Sequence, residues 1–195
     1  MKAQIRVLLI ATIALLPPGL RTAGAQGEVP LTPAKAFTMA KPGQWVVLEG
    51  TPQKGGHVIC TKVKLLTGAI DENDWAVRGS IQGIDQTKRE LTVGRYRIRL
   101  DRQPKFGSAL GTLKSFADLR VGMFVKVEGT FQKDGIFLAR KVNDEAEQVA
   151  KKPGVAKSIR VQGKIEHADP AGRTITVMAT RFLVGDQAQI KSVVK

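Results

Sequence analysis

Apolar and polar residues alternate through long stretches of the chain. In "WAVRGSIQGID" (Trp75 to Asp85), Val77, Gly79, Ile81 and Gly83 hold one parity and Arg78, Ser80 and Gln82 the other. Such alternation predicts a half-buried strand. A polar turn at Asp85 to Lys88 leads into "ELTV", and "RYRIRL" sets Tyr96, Ile98 and Leu100 against Arg95, Arg97 and Arg99. "FVKVEGTF" and "IFLARKV" predict two more strands, joined through the Asp134-Gly135 pair of a tight hairpin. The connection from Lys105 to Arg120 is irregular; its Leu110, Leu113, Phe116 and Leu119 recur every three residues, which predicts a short helix. Five strands with the long link between the third and fourth describe a small OB-type barrel. Another small barrel or a sandwich fits the strand count but suits the long link less well.

The chain repeats itself at two spacings. "VVLEGTPQKGGHVICTKV" returns 79 residues later as "VKVEGTFQKDGIFLARKV", so that Glu49, Gly50, Thr51, Gly56 and Lys62 match Glu128, Gly129, Thr130, Gly135 and Lys141. "VRGSIQGIDQTKRELTV" returns 84 residues later as "VQGKIEHADPAGRTITV", matching Val77, Gly79, Ile81 and Arg89 to Val161, Gly163, Ile165 and Arg173. The middle, 75–143, is therefore a complete unit. Residues 34–64 repeat its second half, residues 158–184 repeat its first half, and 144–157 reads as a polar linker. This is a permuted tandem repeat. The expected fold class is all-β, with two five-stranded OB-like barrels. One is contiguous over 75–143; the other is assembled from 34–64 and 158–195.

The residues "VRGSIQGID...ELTV...FADLRVGMFVKVEGTFQKDGIFLARKV" resemble the bacterial exported domain of unknown function 5666, an OB-like module. The resemblance covers the middle unit fully and the flanks in part. Pro52 stands where the middle unit has Phe131, and His167 where it has Gly83. The shared residues are glycines and strand-core positions, so the resemblance implies a fold and an envelope location and assigns no catalytic residue.

Residues 1–25 read as a signal peptide: Lys2 and Arg6, then the apolar run "VLLIATIALL", then Pro17-Pro18-Gly19, then Ala23-Gly24-Ala25. The apolar run is shorter than the roughly 20 residues of a membrane span, and no other stretch would span. The expected location is exported, periplasmic or extracellular. The formal charge is +14, of which +11 remains once the three basic residues of 1–25 are removed. That field favours anionic partners, an acidic polymer or an acidic protein. The one cysteine, Cys60, predicts no internal disulfide; it matches the small Ala139 and reads as a buried thiol.

Few residues offer chemistry. His57, His167 and Cys60 are the soft metal ligands, too few and on opposite strand faces, so no metal and no cofactor is expected. Catalytic triads lack support, since His57 and His167 occupy repeat positions held by Ile136 and Gly83. Phosphate-binding loop motifs are absent. The anion-binding candidate is the arginine face Arg95, Arg97 and Arg99 with Arg102 following. Its members step about 6.6 Å along the third strand, on the side where OB barrels take polymers. Its rival reading is a solvated basic surface. The expected function is a non-catalytic exported binding or scaffolding module of the bacterial cell envelope. The alternatives are a nucleic-acid-binding OB protein, which the export signal disfavours, and an enzyme with a site between the barrels.

Overall fold

The computed structural model describes residues 27–194, and the expected signal segment lies outside the described residues. The elements in chain order are β1 (Glu28–Pro30), α1 (Pro33–Met39), β2 (Trp45–Pro52), β3 (Val58–Thr67), β4 (Trp75–Asp85), β5 (Glu90–Val93) and β6 (Tyr96–Ser108). They continue with β7 (Phe124–Phe131), β8 (Ile136–Asp144), α2 (Ala146–Lys151), β9 (Ile159–Asp169), β10 (Thr174–Val177) and β11 (Thr180–Val194).

The fold is all-β. In the middle unit β4 pairs with β5, β5 with β6, β6 with β8 in parallel, β8 with β7, and β7 back with β4, which closes a five-stranded barrel. The outer halves repeat that order. β9 pairs with β10, β10 with β11, β11 with β3 in parallel, β3 with β2, and β2 with β9. Each half alone would leave unpaired strand edges, which a soluble chain avoids; together they satisfy one another. β1 adds a short strand on the outer side of β11.

Local chemistry explains the repeated registers. β2–β3 and β7–β8 each shift register after a glutamate, at Glu49/Gly50 and at Glu128/Gly129. At those two glycines a side chain would collide with the Ile59 and Leu138 carbonyls, so only glycine lets the strands approach at the bulge. α1 begins on Thr32, whose hydroxyl accepts from the Lys35 backbone N–H at 3.3 Å, with Pro33 in the first turn. Its Phe37 is buried, as is Phe116, the repeat counterpart in the other barrel.

The short helix expected between Lys105 and Arg120 is a single 3-10 turn. β6 runs on to Ser108, Leu110 is 73% exposed, and only Phe116–Asp118 forms a turn of 3-10 helix. The pairing of Lys105–Ser108 with Lys141–Asp144 of β8 captures the first part. The Asp118 carboxylate, bound by Lys114 and Ser115, fixes the last. The polar linker 144–157, between the middle barrel and the C-terminal half, contains short helical turns. It holds α2 and a 3-10 segment over Pro153–Lys157, and the Ala156 carbonyl accepts from the Ser80 hydroxyl at 3.0 Å.

The barrels are joined edge to edge. β4 pairs antiparallel with β9 through Ala76–Gln162, Val77–Val161 and Arg78–Arg160. One apolar cluster runs through both barrels, from Val46, Leu48 and Val63 to Val77, Ile98 and Phe137. A second, smaller cluster of Trp45, Val47, Leu66 and Val193 lies outside it, and there Trp45 meets Trp75 edge-on at 5.2 Å. On the opposite side of the junction Arg95 donates to the Gly56 carbonyl in the β2–β3 turn.

Candidate anion-binding face

Because β4 pairs with β9, one row of outward side chains crosses both barrels without a break. Following the pairings from β8, the row reads Asn143, Lys126, Arg78, Arg160, Glu49, Lys62 and Gln189. The adjacent row reads Lys141, Glu128, Ala76, Gln162, Val47, Lys64 and Lys191. Seven strands at about 4.8 Å give each row a length of about 30 Å. Parity alone places these side chains outside, since Val77, Val127, Val161 and Leu48 of the same strands fill the interior.

The face is recessed. A cavity of about 180 Å³ is lined by Arg78, Lys126, Glu145, Arg160, Gln162 and Ala76. A second of about 220 Å³ lies across Arg160, among Glu49, Lys62, Lys64 and Lys191. A third of about 290 Å³ continues past Lys126 and Gln162 to Arg140, Asp71 and Asp74, where the groove turns acidic.

Its charges are unevenly partnered. Arg78, with 16% of its side chain exposed, meets Glu145 at 3.3 Å and Glu49 at 3.8 Å, while its buried Nε has no hydrogen-bond partner among the described residues. Lys62 holds Glu49 at 2.8 Å, and Lys126 holds Glu128. Glu28 clasps both Lys64, at 2.6 Å, and Lys191, at 2.8 Å. The two lysines, hydrogen-bonding through their ammonium groups, lower the Glu28 pKa to about 2. The half-buried Arg160 guanidinium makes no hydrogen bond or ion pair with any described residue. Burial first, and the neighbouring Arg78 second, lower its pKa, while Glu49 and Glu145 favour its charge.

The arginines singled out by the sequence lie elsewhere. Arg97 and Arg99 are exposed on β6, opposite the buried Tyr96, Ile98 and Leu100. Both converge on Glu90, at 3.2 Å and 2.6 Å. Glu90 is only 8% exposed, and the arginine hydrogen bonds, that of Arg99 above all, lower its pKa. Arg95 precedes the strand and is engaged with Gly56; Arg102 is exposed, with its backbone N–H on Asp101. The line is thus partly neutralised by a cross-strand acid, Glu90 facing Arg99 in the β5–β6 register.

The remaining candidates are dispersed. Among the described residues no group of three or more His, Cys, Asp or Glu is placed to hold a metal ion. Cys60 is buried, its thiol on the Lys62 carbonyl at 3.1 Å, and burial pushes its pKa up to about 12. Among the described residues no helix is long and apolar enough to cross a membrane.

The middle barrel's strand order, glycine bulge and hairpin are the features on which the family resemblance rests. Residues 78–143 match the family described as Domain of unknown function (DUF5666). The match begins one residue past Val77 and ends in β8, so it spans nearly the whole contiguous barrel. No curated protein and no solved structure matches the chain. Of the cross-barrel rows, the matched residues include Arg78, Lys126, Glu128, Lys141 and Asn143; Ala76 precedes the match on β4, and the other members come from the outer barrel.

Sequence reasoning missed this face because it belongs to no single segment. Arg78 and Arg160 are 82 positions apart, and neither sits in a basic run. The 84-residue repeat was the available signal: counterpart edge strands that are free on the same side can pair with each other.

Proposed function

We propose that the protein is an exported, non-catalytic binding module of the cell envelope that engages an acidic polymer along the cross-barrel face. The observation that supports this most is the row Lys126, Arg78, Arg160 and Lys62, four cations against the carboxylates Glu49, Glu128 and Glu145. A row about 30 Å long matches an extended chain of charges better than a small substrate. The signal-like residues 1–25 and the formal charge of +14 support export and a polyanionic partner. Retention of the mature protein on an immobilised sulfated polysaccharide tests the reading: elution should require salt well above 0.15 M, because contacts with a polyanion weaken steeply as salt rises. Elution with the void at low salt would refute it. Cell fractionation tests the location, with the protein expected in the envelope or medium.

A further inference from the structure

Arg160 is the most anomalous side chain on the face. A guanidinium offers five donors in a rigid fork, and those of the half-buried Arg160 are left open to the cavities beside it rather than bonded to described residues. Arg160 also stands directly opposite Arg78 in the β4–β9 pair, where like charges repel. The two nearest carboxylates favour its charge but form their ion pairs with other cations. Glu49 is held by Lys62 at 2.8 Å, and Glu145 by Arg78 at 3.3 Å. The Gln162 amide nitrogen, on the same cavity wall, donates to the Asp74 carbonyl at 2.7 Å. Cavities of about 180 and 220 Å³ open on either side of the guanidinium.

We infer that Arg160, with Arg78 and Lys126 beside it, forms a discrete subsite for a tetrahedral oxyanion, a phosphate or sulfate group, at the junction of the two barrels. Such a group accepts a bidentate pair of hydrogen bonds from the Arg160 fork. It simultaneously screens Arg160 from Arg78. Lys126 lines the same cavity and adds a third positive charge. The inference deepens the reading of the face as a polyanion site by naming where one charged group of the polymer sits. The same chemistry is offered by free phosphate.

The test is a titration of the folded protein with inorganic phosphate, followed by NMR of backbone amides and arginine Nε–H groups. Saturable shifts should centre on Arg160, Arg78 and Gln162. Arg160→Gln should weaken binding roughly tenfold to a hundredfold, as expected for a lost charge-assisted pair. Arg160→Lys, which keeps charge and loses the fork, should fall between, and Glu49→Gln should tighten binding. Arg97→Gln, on the other face, should change nothing. Thermal melts should show Arg160→Gln folded, with stability equal or raised by relief of repulsion. Shifts centred on Arg97 to Arg102, or an unchanged titration in Arg160→Gln, would overturn the subsite. Competition by a sulfated polysaccharide separates the two sources. Displacement of phosphate by the polymer supports the subsite as part of the polymer face. Phosphate binding at Arg160 without displacement keeps the subsite and refutes the polymer reading.

Discussion

Val77 on β4 stands opposite Val161 on β9, and each is the other's counterpart in the 84-residue repeat. The two barrels therefore meet about a local two-fold axis through this pair. Both side chains are fully buried, and the apolar cluster is continuous across them. Val77→Ala and Val161→Ala should each cost about 1–3 kcal/mol. The double variant should deviate from additivity by about 0.5 kcal/mol or more, because the sites are in one packed unit. Urea unfolding followed by tryptophan fluorescence checks this, since Trp45 and Trp75 come from different barrels and touch at 5.2 Å. Additive effects with two separate transitions would show that the barrels fold independently.

The bulge glycines carry the repeat's backbone geometry. Gly50→Ala and Gly129→Ala place a methyl group against a neighbouring carbonyl and should each destabilise by at least about 2 kcal/mol. Gly154→Ala has open space around it and should be nearly neutral. Melting temperatures by circular dichroism separate the three.

Tyr96 offers a prediction of opposite sign. It is 3% exposed; burial raises its pKa, and the Thr180 side chain beside its hydroxyl pulls the other way without forming a well-aligned hydrogen bond. Tyr96→Phe removes a hydroxyl whose one neighbour, Thr180, is poorly aligned and keeps the ring, so it should leave stability unchanged or raise it by up to about 1 kcal/mol. A loss of more than about 1 kcal/mol in chemical denaturation would mean the hydroxyl is bonded in solution.

Glu28 gives β1 an acid-sensitive clasp. Its folded pKa of about 2 lies below the ordinary 4.5, so its contribution is full above pH 4.5 and disappears as pH falls toward 2. The protection factors of the β1 amides, with exchange corrected for its intrinsic pH dependence, should fall over that window. In Glu28→Gln the exchange should be fast already at pH 7 and should lose this acid dependence. The clasp is exposed, so the global melt should move little.

The barrel order and the joining of the outer halves were legible because they follow from spacing: Glu49 with Glu128, and Val77 with Val161, set the register before any coordinates. The β4–β9 junction was not, because pairing between two barrel edges is a tertiary choice that alternation within each strand does not encode. The site suffered for the same reason. Arg97 and Arg99 drew attention as neighbours in sequence, whereas Glu90, which engages both, lies on the preceding strand. Arg78 and Arg160 each read as an ordinary outward residue until the junction set them side by side.

On the proposed reading, the cross-barrel row, not the β6 arginine line, holds the polyanion. The direct measurement is the salt needed to elute two folded triple variants from an immobilised sulfated polysaccharide. One carries Lys62→Gln, Lys126→Gln and Arg160→Gln; the other carries Arg97→Gln, Arg99→Gln and Arg102→Gln. Each removes three positive charges, so net charge is matched, and any difference reports position. The row variant should elute at clearly lower salt with a shallower salt dependence, by about three fewer counterions released, while the β6 variant should stay near the wild type. Equal losses would mean that only net charge matters, and a larger loss in the β6 variant would contradict the account.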